Sequence, residues 1–283
     1  MTELGEVANR SASLAPSATA FLVTKEYRRF AEFCDAVRRY RYIGLCYGPP
    51  GVGKTLSARH YADWDQLEQI FARELQDDQP RLPGLTECRS IVYTPTVAVT
   101  PRSLDTAIHV LRSRLSCAVE DARYPAGAWA SGSMKPELTE LILVDEADRL
   151  KMAALEHLRD LYDREHFGLV LIGMPGLEKR LARYPQLYSR TGFAHAYRPL
   201  SSEELWFILE HHWRQLGFTL SPTDFADAEA VAAIARITGG NFRLIQRLFT
   251  QIERLLEINR LRAVTKDVVE TARESLVIGA WAD

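Results

Sequence analysis

Apolar residues along this chain follow two rhythms, and the rhythm changes near residue 200. Before that point, short apolar runs at 42–47, 90–95, 141–144, 169–173 and 194–197 read as strands. Segments with helical spacing separate them. Over 25–40, Phe30, Phe33, Cys34 and Val37 recur at i, i+3, i+4 and i+7. Residues 54–64 and 152–165 follow the same rule, as does 103–117, with Leu104, Ile108, Leu111 and Leu115 inward and Arg112 and Arg114 off that face. After residue 200 only helices are predicted. Ser201 or Ser202 with Glu204 marks a helix start, and Leu205, Ile208, Leu209 and Trp213 give that helix its apolar side. Helices over 228–237, 242–258 and 267–278 follow. Strands alternating with helices predict an α/β fold, a doubly wound parallel sheet over 21–199, followed by a small all-helical unit over 200–283. Residues 1–20, rich in Ala, Ser and Thr, offer little to bury and read as a mobile tail.

Between the first strand and its helix lies Gly48-Pro49-Pro50-Gly51-Val52-Gly53-Lys54-Thr55, then Leu56. The pattern G-x-x-x-x-G-K-[ST] is a P-loop. Its glycines let the backbone curl until successive N–H groups face one phosphate chain. Lys54 is placed to reach the β- and γ-phosphates, and the Thr55 hydroxyl to take a position on Mg²⁺. The helix starting at Lys54 adds the positive end of its dipole. A nucleoside triphosphate with Mg²⁺ is the expected ligand.

A second landmark is Leu141-Ile142-Leu143-Val144-Asp145-Glu146. Four apolar residues make a strand buried on both faces, and two carboxylates appear where it ends, at the ligand-binding edge of an open α/β sheet. Asp145 suits a metal contact opposite Thr55, and Glu146 suits orienting or deprotonating an attacking water. In the last long helix Arg243, Arg247 and Arg254 share one side.

The formal net charge of −2 excludes nucleic-acid binding by bulk positive charge, so any such contact has to be a local patch. Cys34, Cys46, Cys88 and Cys117 form no C-x-x-C pair and have no metal-ligand spacing. No apolar run approaches a membrane span and no export signal is visible, so a cytoplasmic protein is expected. The loop at 124–132, with Trp129, is long enough to be functional.

The P-loop, the Asp-Glu strand and the trailing helices together resemble an AAA+ ATPase, from about residue 25 onward. The resemblance implies an AAA+ core followed by a helical lid. Gly239-Gly240-Asn241-Phe242-Arg243 resembles the sensor-two motif, which implies that Arg243 touches the γ-phosphate of its own subunit's nucleotide. Arg190 resembles the arginine finger that reaches a neighbouring subunit's nucleotide, with Arg183 and Arg180 as competitors. Residues 144–150, 171–177 and 188–190 are similar to the TnsC/TniB/MuB transposition ATPases. That similarity implies an ATP-dependent assembly, ring or helical filament, on duplex DNA without sequence preference. It also implies a transposase partner and a target-selector protein. In this family the segment between the two nucleotide motifs often faces the central axis, which makes Arg102, Arg112, Arg114, Arg123 and Lys135 the candidate phosphate contacts. One departure is Met174-Pro175 where the family places a polar sensor-one residue, and a thioether cannot donate a hydrogen bond. Asp145-Glu146-Ala147-Asp148 spells the helicase D-E-A-D, but a helicase needs two nucleotide-binding halves. An initiator or helicase loader, and a nucleotide switch with little hydrolysis, are the remaining alternatives.

Overall fold

The computed structural model describes residues 21–73, 83–123 and 137–276. The expected tail at 1–20, the 124–132 loop and Lys135 lie outside the described residues.

Five strands, β1 (Ile43–Tyr47), β2 (Ser90–Tyr93), β3 (Leu141–Val144), β4 (Gly168–Gly173) and β5 (Thr191–Ala196), form one parallel sheet in the order β2-β3-β4-β1-β5. Every residue of β2, β3 and β4 is buried, as expected for a sheet covered on both faces. β5, at the edge, alternates half-buried and exposed positions. The chain leaves β1 for the far edge at β2, works back through β3 and β4, then crosses to β5 on the other side of β1. That reversal places a topological switch point at the carboxyl end of β1, where open α/β sheets bind ligands.

Around the sheet run α1 (Lys25–Tyr40), α2 (Lys54–Tyr61), α3 (Trp64–Arg73), α4 (Pro101–Arg123), α5 (Met152–Glu165) and the short α6 (Leu177–Leu181) and α7 (Pro185–Tyr188). α1 is N-capped by Thr24, whose side chain accepts from Tyr27 N, and it buries Phe30, Phe33, Cys34 and Val37. Each fully buried side chain of this size contributes about 1.5–3 kcal/mol through apolar transfer. These residues and the strands form one apolar cluster that runs through Tyr197.

A second apolar cluster belongs to α8 (Ser202–Gln215), α9 (Phe225–Thr238), α10 (Phe242–Asn259) and α11 (Lys266–Glu274). Its centre is Ile208, Leu209, Trp213, Ile234, Ile245, Leu248 and Ile252. α8 opens with a capping box: Ser201 accepts from Glu204 N, and the Glu204 carboxylate accepts from Ser201 N. Among the described residues no helix is long and apolar enough to cross a membrane.

Arg112 differs from expectation. It is 3% exposed, its guanidinium pairs with Glu165 and Glu137, and it lies over the Phe167 ring. It therefore ties α4 to α5 and is closed to a nucleic-acid backbone.

Candidate nucleotide site

β1 ends at Tyr47, and the chain then turns back on itself through Gly51 at φ 79° and Gly53 at φ 110° before α2 begins. A Cβ on Gly51 would lie 2.7 Å from Asn241 Oδ1 and 2.9 Å from Arg243 Cβ. Only glycine lets α10 close onto the loop there. Asn241 Nδ2 donates to Pro50 O (2.7 Å), and Arg243 N donates to Gly51 O (2.9 Å). Asn241 is also the N-cap of α10, its Oδ1 accepting from Leu244 N. One side chain thus starts the helix and fastens it to the P-loop.

Lys54, 9% exposed, donates from Nζ to Gly48 O (2.6 Å) and Pro49 O (2.8 Å). Burial draws its pKa below the ordinary lysine range, partly opposed by the Asp145 and Asp148 carboxylates. Thr55 Oγ1 donates to Asp145 Oδ2 across 2.7 Å. Asp145, 4% exposed, is fixed where β3 ends by Asp145 N donating to Tyr93 O (2.9 Å). Its Oδ1 accepts from Glu146 N (2.9 Å). A hydroxyl and a carboxylate aimed at one point are hard oxygen donors, the kind Mg²⁺ prefers.

Glu146 takes a left-handed conformation, φ 51°, uncommon for a residue with a side chain. Its carboxylate pairs with Arg149, which also donates to Pro95 O at 3.0 Å. Arg180, a competitor for the finger role, donates to Asp148 O (2.8 Å) and to Leu150 O, so it braces this turn from within the subunit.

Lys54, Thr55, Asp145, Glu146 and Arg243 line one cavity of about 560 Å³, together with Gly51, Gly53 and Leu56 of the loop. Asp148, Met174 and Thr94 join them. Beside it lies a more apolar pocket of about 210 Å³ that shares Gly53, Leu56, Phe242 and Gln246 with the first. Phe21 stacks on His60 there (3.8 Å between centroids), and Tyr27, His212 and Tyr197 complete much of the wall. A polar compartment adjoining an aromatic one suits a phosphate chain joined to a flat ring. The sequence reading missed Phe21, Tyr27, His60 and His212, which come from segments far apart in the chain and carry no local signature.

Arg190 lies away from this cavity. Its carbonyl accepts from Ile43 N at the starting end of β1, opposite the P-loop, and its Nε donates to Asp163 Oδ1 at 2.5 Å. It cannot serve the same subunit's site. Arg183 is exposed. Of the other basic candidates, Arg102 is exposed, Arg114 is exposed over the Phe71 ring, and Arg123 donates to Thr86 O.

A P-loop after β1, an Asp-Glu pair at the end of β3 and a helical unit clasped to the loop define a P-loop nucleotide-binding fold. The AAA domain family model matches residues 37–181, just over half the chain, and the chain belongs to that family. It is 48% identical over 266 residues to a "Potential ATP-binding protein" of Staphylococcus aureus, covering 92% of this chain and 97% of that one. Among solved structures it is similar to the RuvB Holliday junction branch migration motor of Thermotoga maritima. That likeness has a TM-score of 0.56 at 18% identity, over 89% of this chain and 69% of that one. The Aeropyrum pernix ORC1 protein in complex with DNA is also similar, with a TM-score of 0.50 at 22% identity, over 88% and 64% of the respective chains. At these identities the two structures establish the fold.

Proposed function

We propose that this protein is a DNA-binding AAA+ ATPase that oligomerises on duplex DNA in the presence of ATP, and that it regulates target choice and transposase recruitment in DNA transposition. The observation that carries the nucleotide part is the convergence of Lys54, Thr55, Asp145, Glu146 and Arg243 on one cavity, closed by bonds from Asn241 and Arg243 to the P-loop. The DNA part draws on the neighbours, a branch migration motor and a protein solved with DNA. The transposition part draws on the sequence similarity over 144–150, 171–177 and 188–190.

Lys54 would hold the β- and γ-phosphates, while Thr55 and Asp145 would hold Mg²⁺. Mg²⁺ supplies charge withdrawal from the phosphates when bound. A water oxygen then bonds to the γ-phosphorus, the bond to the β–γ bridging oxygen breaks, and ADP leaves with that electron pair. Glu146 takes the proton after its pair with Arg149 opens. Arg243 neutralises γ-phosphate charge in the same subunit, and Arg190 does so in the neighbouring one. A nucleotide switch with little turnover is the second reading, favoured by the hold of Arg149 on Glu146.

Electron microscopy of the protein with duplex DNA tests assembly, and phosphate release with and without DNA tests turnover. Rings or filaments that need both ATP and DNA are expected. Material that stays monomeric with both present would overturn the proposal.

A further inference from the structure

The cavity contains a third carboxylate that the fold holds in place and that no role above uses. Asp148 sits in the short 3-10 turn Ala147–Arg149, two residues beyond Glu146, and is half-buried. Its Oδ2 accepts from Met174 N (2.7 Å), the first residue after β4. From the other side, Arg180 donates to its main-chain carbonyl (2.8 Å). The space it occupies depends on Gly173: a Cβ there would come within 2.5 Å of Asp148 Oδ2. The carboxylate is thus positioned from β4, from α6 and from its own turn.

Glu146 provides the contrast. Its carboxylate is paired with a guanidinium and its side chain is 47% exposed. Among the described residues, no lysine or arginine lies within ion-pair distance of the Asp148 carboxylate. Oδ2 is engaged by Met174 N, which leaves Oδ1 to accept from something in the cavity. An ionised carboxylate only accepts, so it cannot bond a phosphate oxygen directly and is repelled by one unless a hydrogen donor lies between. Among the described residues Asp148 makes no hydrogen bond to Thr55 or Asp145, the pair that would hold Mg²⁺, and its carboxylate is set by Met174 N instead. A water donating one hydrogen to Asp148, with its oxygen toward the phosphate, meets both requirements.

We infer that Asp148 is a second water-orienting carboxylate, holding the nucleophile in line with the γ-phosphorus while Glu146 takes the proton. This rests on reading the cavity as an ATP site. Asp148 takes no proton in the step: one water hydrogen remains in its hydrogen bond while the other passes to Glu146, and the bonds made and broken are those of ATP hydrolysis given above. Met174 contributes its N–H, while its thioether has no donor to offer.

Asp148→Asn separates this role from a structural one, because the amide oxygen still accepts from Met174 N while the charge is lost. With the full chain, Mg²⁺, duplex DNA and ATP, phosphate release gives kcat and KM, and a fluorescent ATP analogue gives affinity. Asp148→Asn is expected to lower kcat roughly 10- to 100-fold, with KM, analogue affinity and thermal midpoint unchanged. Turnover within two-fold of the parent would overturn the inference, as would a parallel loss of affinity and thermal midpoint. Glu146→Gln is the control and should abolish turnover with binding kept. If the parent chain fails to bind the analogue, the ATP-site reading fails and takes this inference with it. If it binds ATP but releases no phosphate with or without DNA, the inference fails alone.

Discussion

The sheet with its helices and the four-helix unit that follows are each held by their own apolar cluster, but the joint between them at the P-loop is polar. Inside each unit, Leu, Ile, Val and Phe side chains are removed from water. At the joint, Asn241 and Arg243 N bond to Pro50 O and Gly51 O, and Glu204 Oε1 accepts from Glu26 N (2.7 Å). Burial of apolar surface is lost only by unfolding, whereas a hydrogen bond exchanges for one to water at a net cost of about 1 kcal/mol. The difference teaches where the two units are joined by bonds that exchange with water, and that seam runs along the phosphate-binding loop.

The largest break in that comparison comes from Lys54→Ala. Losing its charge-assisted bonds should weaken ATP at least about 100-fold, or roughly 3 kcal/mol, by calorimetry, with both apolar clusters and the thermal midpoint intact. A midpoint drop as large as the affinity loss would mean that the lysine is structural. Arg112→Ala should do the reverse. Leaving Glu165 without its partner and exposing the Phe167 ring should destabilise the sheet unit by about 2–4 kcal/mol in denaturant melts, with DNA affinity of the folded protein unchanged.

The helical unit should respond to acid. Burial, with His211 nearby, lowers the His212 pKa from 6.5 to about 4, and the ring stacks on Phe249 at 4.3 Å. Between those values the unfolded chain binds the proton and the folded one does not. Stability is therefore full above pH 6.5 and falls as pH drops toward 4, by up to about 3 kcal/mol. Melts of His212→Phe, which keeps a stacked ring, should show a flatter profile over that window.

The smallest and most local probe is Asn241→Asp. The carboxylate still caps α10 but cannot donate to Pro50 O, so the seam should loosen by about 1 kcal/mol. Nucleotide affinity should fall about five-fold with little change in helix content by circular dichroism.

Much of this arrangement was legible in sequence because it is local. The P-loop spacing, the apolar run into Asp145 and Glu146, and the i, i+3, i+4 stripe of α1 are set by residues within a few positions of one another. The clasp between Asn241 and Pro50 spans 191 residues and has no local signal. Neither does the pairing of Asp148 with Met174 N across 26 residues, although the departure at Met174 pointed to that place. Arg112 was misread for another reason. It stands four residues after Ile108 and three before Leu115, on the apolar stripe itself, where the sequence reading set it off that face. Glu165, which makes that burial tolerable, lies 53 residues away on α5.

Asn241, as the first anchor of α10, fixes the phase of that helix as well as its docking. A helix advances about 100° per residue, so a single residue inserted between Asn241 and Arg243 would leave the clasp in place while swinging the guanidinium a quarter-turn off the cavity. Length, more than composition, is therefore what this short stretch cannot vary.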